Sequence, residues 1–413
     1  MEKNIAKLFT EKCHQFALDK TLCVGLGLDG ASNLSSETVG AGAEFKKEAP
    51  LADYYHCMMH ALNLCASQSV KVQMVRNCLD TVSELANFFN SSAKRHNLLD
   101  EIISVSGDED ARTSTFKTLC STRFVERHDA VLTATYLLPH AQTALDTMAE
   151  WESRDAKTAT SGLLSSISKF SFIVTLQSLA KVSSILVGLS HSLQKPGIDI
   201  IKALSDISLV ENCLQTLREH SETEFASIFD QASTLAQKME VSIDKPRTVK
   251  KGVSVYRPNS GDAEQGIDNY YRINMFLPLL DGIVSHIRQR FGVAQRTSLA
   301  LSRLIPAYLG IYRDIEPAVV KYANLVACKQ QVEGEFLLWR QQWSDKEVAS
   351  AITTAAAAIE RCSDISMPNI RALLVILTTL PVTSAEAERV FSKAERTATA
   401  ARAHMKEHAW KHL

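Results

Sequence analysis

TLCVGLGLDGASN (Thr21–Asn33) is the stretch on which the fold turns. Thr21 to Leu28 is a short run of strand-favouring residues, and Gly30-Ala31-Ser32-Asn33 is turn chemistry. Asp29 therefore falls at the end of a predicted strand, just before a tight turn. A carboxylate in that position is suited to ligate a hard divalent cation such as Mg²⁺ or Mn²⁺ in an α/β site. The same residue type also caps turns, so both roles are open from spacing alone. A second short strand is predicted at Thr118–Phe124.

Most of the remaining chain reads as helix. Between Tyr54 and Val70, the residues Tyr55, Met58, Met59, Leu62 and Cys65 recur at three- and four-residue spacing. Between Val72 and Phe89, the residues Val75, Leu79, Val82, Leu85, Ala86 and Phe89 do the same. The helical pattern continues from Val125 to Glu360. Breaks are expected at Pro139, at Lys195-Pro196-Gly197 and at Lys245–Ala263. After Pro381, Thr383-Ser384-Ala385-Glu386 has capping-box spacing. It predicts a helix to about His404, with Ala387, Phe391 and Ala394 on its packing face. The plan is a small α/β beginning, a long helical middle and a closing helix. It suits an α/β fold, mostly α by content, interrupted by an all-α insertion.

Composition narrows the class. The 413 residues carry 45 Lys and Arg against 46 Asp and Glu, a net charge of −1. That argues against a nucleic-acid binder that acts through bulk positive charge. Nine scattered cysteines with no CxxC pair suit a reduced compartment, nucleus or cytoplasm, better than a disulfide scaffold. MEKNIAKLF has no apolar core of the signal-peptide kind. Phe170–Leu193 contains Lys181 and His191 and reads as too interrupted to span a bilayer. No membrane association and no small-molecule substrate are expected.

Four constellations could carry chemistry besides Asp29. Cys57-Met58-Met59-His60 is half of a zinc site at helical spacing, or a buried Cys beside a hydrogen-bonded His. Arg123-Phe124 offers a phosphate contact with an aromatic stacking face, or a salt-bridged helix start. Lys250 and Lys251 lie in a basic segment that is either a solvated loop or a phosphate-contacting one. Glu388-Arg389 opens a basic stretch with Lys or Arg at 389, 393, 396, 402, 406 and 411, which supports salt-dependent DNA affinity.

LGLDGASNLSS (26–36), YYHCMMHALNLC (54–65) and LCSTRFVERHDAV (119–131) resemble, in order, the catalytic-domain blocks of hAT-superfamily transposases. NYYRINMFLPLLDGIVSHIRQRF (269–291) and EFLLWRQQW (335–343) resemble that family's helical insertion. Residues 361–397 are similar to its C-terminal dimerisation region. The resemblance implies an RNase H-like domain in two parts, 1–130 and 361–413, interrupted by an all-α insertion at 131–360. It implies that Asp29 and Glu388 are the second and third acids of a two-metal site for Mg²⁺ or Mn²⁺. It further implies that Cys57 and His60 are the family's CxxH pair, and that Arg123 with Phe124 stands for its Arg-Trp pair.

The resemblance also implies departures. Only 28 residues precede Asp29, so the family's first acid is expected to be missing and the chain to be cut at both ends. An ion cage short of one carboxylate binds its metals weakly. The expected function is thus that of a transposase-derived, non-catalytic protein. It acts as a homodimer through its C-terminal region and in DNA or partner binding. The alternative is a fragment of an active hAT transposase that cleaves and transfers DNA strands with two metals.

Overall fold

The computed structural model describes residues 2–28, 40–68, 71–106, 115–118, 124–151, 154–195, 198, 200–246, 266–291, 300–309, 315–327, 329–384, 387, 389–391 and 393. The protein is mostly helical. By compactness it divides into two units, one of residues 1–61, 192–205 and 291–413, the other of 62–191 and 206–290.

The first unit opens with helix α1 (Glu2–Gln15), then a 3₁₀ turn at Lys20–Leu22, strand β1 (Gly25–Leu28), helix α2 (Ala41–Lys46), strand β2 (Asp53–His56) and the first turn of helix α3 (Met58–Gln68), whose residues from Leu62 on are counted in the second unit. Among the described residues, β1 and β2 form the only sheet. They are parallel, in register Gly25↔Asp53 through Leu28↔His56. Parallel neighbours need a crossover, and α2 lies in it. Phe9 of α1 meets Phe45 of α2 edge-on, with ring centroids 6.1 Å apart. Phe45, Ala49 and Ala52 form a small core there, joined by Cys13, Cys23 and Leu26.

Two sequence expectations shift in this region. The predicted strand from Thr21 is shorter. Asp19 accepts hydrogen bonds from the Thr21 amide (2.9 Å) and hydroxyl (2.7 Å), which holds Lys20–Leu22 as a 3₁₀ turn. Extended pairing then starts at Gly25. The predicted helix from Tyr54 begins only at Met58, because Asp53–His56 is β2. Tyr55 is buried from a strand, so the helical spacing from Tyr55 to Met58 spans two different elements.

The second unit contains α4 (Gln73–Asn90), α5 (Ala93–Val105), α6 (Phe124–Ala149) and α7 (Arg154–Ile167). Helices α8 (Phe170–Leu193) and α9 (Ile200–Glu219) lie in it for most of their length. They are followed by α10 (Ser221–Lys238), α11 (Ile267–Tyr271), a π-helical turn at Arg272–Phe276, and α12 (Leu277–Phe291). The predicted stripe of α4 is buried, with Val75, Val82, Leu85, Ala86 and Phe89 fully so. Phe170, Phe225, Phe229, Tyr271 and Phe276 form an aromatic cluster with centroids 5.2–6.3 Å apart. The Tyr271 hydroxyl donates to the Asp244 carbonyl at 2.8 Å.

Pro139 does not break its helix. It lies inside α6, where Leu137, Leu138, Ala141, Ala144 and Leu145 are fully buried on both sides of it. Packing outweighs the one backbone bond that the imide cannot donate. Nor does Lys181 interrupt α8, since it points outward and pairs with Glu224 at 3.1 Å. By length and composition alone α8 could cross a membrane, a test that the core helix of a soluble protein also passes. Its most apolar window is 61% buried inside the protein. The predicted strand at Thr118–Phe124 falls largely outside the described residues, and Phe124 itself opens α6.

The described remainder of the first unit contains α13 (Glu316–Lys321), α14 (Lys329–Gln342), α15 (Lys346–Ser350), α16 (Ala355–Glu360) and α17 (Pro368–Thr379). Val332, Phe336 and Trp339 give α14 a buried stripe, continued by Trp343 just past its end, and the Trp339 indole donates to the Leu304 carbonyl at 2.8 Å. On the same stripe the Glu335 carboxylate accepts from the backbone of Asn369 (2.7 Å) and Ile370 (3.0 Å) and from the Asn369 side chain (2.5 Å). It caps α17 from a neighbouring helix. The described residues from 387 to 393 are helical, as expected, but Phe391 is 72% exposed and Ala387 is exposed as well. These two do not form a packing face.

Candidate functional site

The two ends of the first unit meet at Cys57, which occupies the turn between β2 and α3. Its amide donates to the Leu28 carbonyl at 3.0 Å, continuing the β1–β2 ladder to the last residue before Asp29. Its sulfur takes the N-cap role for α3, accepting from the His60 amide at 3.4 Å. The same sulfur accepts from the Ser384 amide at 3.3 Å and lies 3.5 Å from the Thr383 hydroxyl oxygen. The Met58 amide donates to the Val382 carbonyl at 3.0 Å. Residues 380–384 thus form a strap across the sheet.

Two glycines give the strap its seat. A Cβ at Gly25 would come within 2.7 Å of the Pro381 ring, and one at Gly27 within 2.8 Å. Both distances are too short for real side chains. Glycine in a strand interior commonly marks the close approach of another backbone, and here it admits Pro381. Leu380 and Val382, on either side of the proline, are 4% and 5% exposed.

A charged cluster borders β2. Asp53, at its first residue, is ion-paired with Lys321 and lies 3.9 Å from the Lys46 ammonium. Burial, and after it the Lys46 charge, bring Lys321 down to about 8. Burial also raises the Cys23 thiol, whose sulfur donates to the Gly25 carbonyl at 3.6 Å.

Of the residues singled out in the sequence, Cys57 and His60 are together at this junction. Cys57 is 1% exposed and His60 half-buried. The Cys57 sulfur receives two backbone amides at this junction. Among the described residues no group of three or more His, Cys, Asp or Glu side chains could hold a metal ion. Arg389 is exposed, and its guanidinium donates to the Gln194 carbonyl. Asp29, Glu388, Arg123, Lys250 and Lys251 lie outside the described residues, and Phe124 is described as a backbone position only. Sequence reasoning missed the strap and the Glu335 cap. Gly25 and Gly27, alternate residues of one strand, were the available signal for the strap.

Residues 359–413 match the hAT family C-terminal dimerisation region, so α17 and the strap both fall within it. The 52 kDa repressor of the inhibitor of the protein kinase from Mus musculus is 27% identical over 400 residues, covering 93% of this chain and 51% of the relative. The Homo sapiens protein of that name is 27% identical over 399 residues with the same coverage. The chain therefore spans about half the length of the curated relatives it matches. No solved structure matches it.

Proposed function

We propose that this chain is a transposase-derived protein that self-associates through residues 359–413 and does not itself cut DNA. The observation that carries the reading is the apolar surface left open in that region. Ile365 is 89%, Phe391 72% and Val390 63% exposed within the stretch that matches a dimerisation region. Large exposed apolar side chains in a dimerisation region favour a protein partner, and a second copy of the chain is the simplest one. The relatives are named as repressors, which supports a role without strand cleavage.

On this reading the parallel β1–β2 pair and the returning strap belong to an RNase H-like domain made of residues 1–130 and 361–413. Residues 131–360 are the helical insertion. Asp29 and Glu388 are remnants of a two-metal site with weak affinity for Mg²⁺ or Mn²⁺. DNA is a second partner, contacted by Arg123, Phe124, Lys250, Lys251 and Arg389 through salt-sensitive phosphate and stacking interactions. The site of action is the nucleus.

Light scattering at micromolar concentration tests self-association. The wild type is expected at twice the monomer mass, and the Val390→Glu/Phe391→Glu variant at the monomer mass. A monomeric wild type would refute the reading. One observation favours the alternative, a segment of an active transposase. Cys57 bonds to Leu28 and to Ser384, which stand one and four residues from the two candidate acids. Incubation with terminal-inverted-repeat DNA in Mg²⁺ or Mn²⁺ separates the two. Cleavage that disappears in Asp29→Ala or Glu388→Ala establishes the alternative.

A further inference from the structure

Helix N-caps are normally Ser, Thr, Asp or Asn, whose oxygens accept short hydrogen bonds. At the start of α3 a cysteine takes that place, although its sulfur is the weaker acceptor. The sulfur is larger, and it reaches beyond its own helix. It meets the Ser384 amide and the Thr383 hydroxyl, 327 and 326 residues away in sequence. Pro381 has no amide to offer the sheet, and the Val382 carbonyl is taken by Met58. The thiol meets the polar end of the strap, while its apolar middle rests on Gly25 and Gly27.

We infer that the Cys57 sulfur is the latch that holds the C-terminal dimerisation region in place over the two-stranded sheet. Cys57 is in these terms a positioning residue with two clients, its own helix and the strap. The inference adds a mechanism to the proposed self-association and rests on that reading only for its effect on oligomeric mass.

Hydrogen exchange of the full chain, read at single amides, tests the latch. Cys57→Ala removes the acceptor. The Ser384 amide should then exchange about tenfold faster, the effect of losing one modest hydrogen bond. Cys57→Ser keeps an acceptor and should restore much of that protection. Gly27→Ala displaces Pro381 with the thiol intact and should also release Ser384. Combining it with Cys57→Ala should add little, because both variants open one contact. Faster exchange at His60 with Ser384 unchanged would reduce Cys57 to a helix cap and overturn the inference. So would strictly additive effects of Gly27→Ala and Cys57→Ala at Ser384. Circular dichroism on each variant shows whether the fold persists, and the near-isosteric Cys57→Ser keeps the test decisive if Cys57→Ala unfolds. Light scattering on the same samples separates the two readings. Release of Ser384 with an unchanged monomeric mass upholds the latch and rejects self-association.

Discussion

Replacing Glu335 by alanine should uncouple α17 from the helix beside it. Helix α17 starts Met367-Pro368-Asn369-Ile370, and the side chain at its cap position, Met367, makes no capping hydrogen bond. Proline at the first helical position has no amide, so the first two orphan donors are those of Asn369 and Ile370. Both residues are buried, at 8% and 0% exposure, and water cannot replace a lost acceptor. Glu335 serves both amides and the Asn369 side chain, and is itself 9% exposed. Each backbone bond to a charged acceptor is worth ~1.5–3 kcal/mol. Two of them sum to ~3–6 kcal/mol, less what is regained by no longer burying a carboxylate. The expected net loss is ~3 kcal/mol, near the low end of that range, or about a hundredfold in the folding equilibrium. Glu335→Gln keeps one oxygen but turns an NH₂ group towards a donor, and should lose ~1–2 kcal/mol. Urea titration gives the two stabilities, and exchange at Asn369 and Ile370 locates the loss. If Glu335→Ala unfolds at the wild-type midpoint, or if Ala and Gln cost the same, the carboxylate does not cap this helix.

Other expectations follow from burial and ionisation. Burial pushes Cys362 to about 11 and Cys65 to about 12, and raises Cys78 further, against 9.0 for a free thiol. Above pH 9 the unfolded chain releases these protons while the folded chain keeps them. Stability should therefore hold up to about pH 9 and fall as the pH rises towards 11–12, with Cys362→Ala flattening the fall. Lys321, lowered to about 8 from 10.5, acts in the opposite sense. Between those values the unfolded chain holds more protons, so its contribution rises with pH and Lys321→Met should steepen the alkaline loss; urea midpoints between pH 7.5 and 10.5 measure both. Iodoacetamide followed by peptide mapping should modify exposed Cys213 in the native protein, and Cys57, Cys65, Cys78 and Cys362 only on unfolding. Leu85→Ala, fully buried on α4, should cost ~2–5 kcal/mol, while Glu84→Ala on its exposed face should stay within ~0.5 kcal/mol by the same titration.

Local rules recovered the elements whose burial is one-sided. Helix α4 was legible to within a residue at each end because its buried side chains recur on one stripe against an exposed opposite face. The rules failed where two elements share a continuous apolar pattern. Tyr55 and Met58 have helical spacing, yet one belongs to β2 and the other to α3, and only the partner strand settles the difference. They failed again where packing overrides a breaker, as at Pro139, and where an apolar residue faces outward, as at Phe391. At the junction, the separate pieces were readable: the strand before Asp29, the CxxH spacing and a segment punctuated by Pro381. Their convergence was implied by the resemblance alone, because no local preference encodes a contact between residues 57 and 384.

Why the strap docks at all across so long a separation follows from the size of the opposing terms. Closing a loop of some 320 residues rather than one of about 40 adds only ~2 kcal/mol of entropy, since the cost grows with the logarithm of length. Folded structure within the intervening chain lowers it further. Burying Leu380 and Val382, at ~1.5–3 kcal/mol each, exceeds that cost before any hydrogen bond is counted. Apolar burial therefore brings the C-terminal segment back to the sheet, and Pro381 settles where the two glycines leave room. What burial cannot do is choose an orientation, because it has no direction. The amide of Met58 and the sulfur of Cys57 supply direction at fixed points, the carbonyl of Val382 and the amide of Ser384. Weak bonds suffice for that task, because they need only favour one seating of a segment that is already bound.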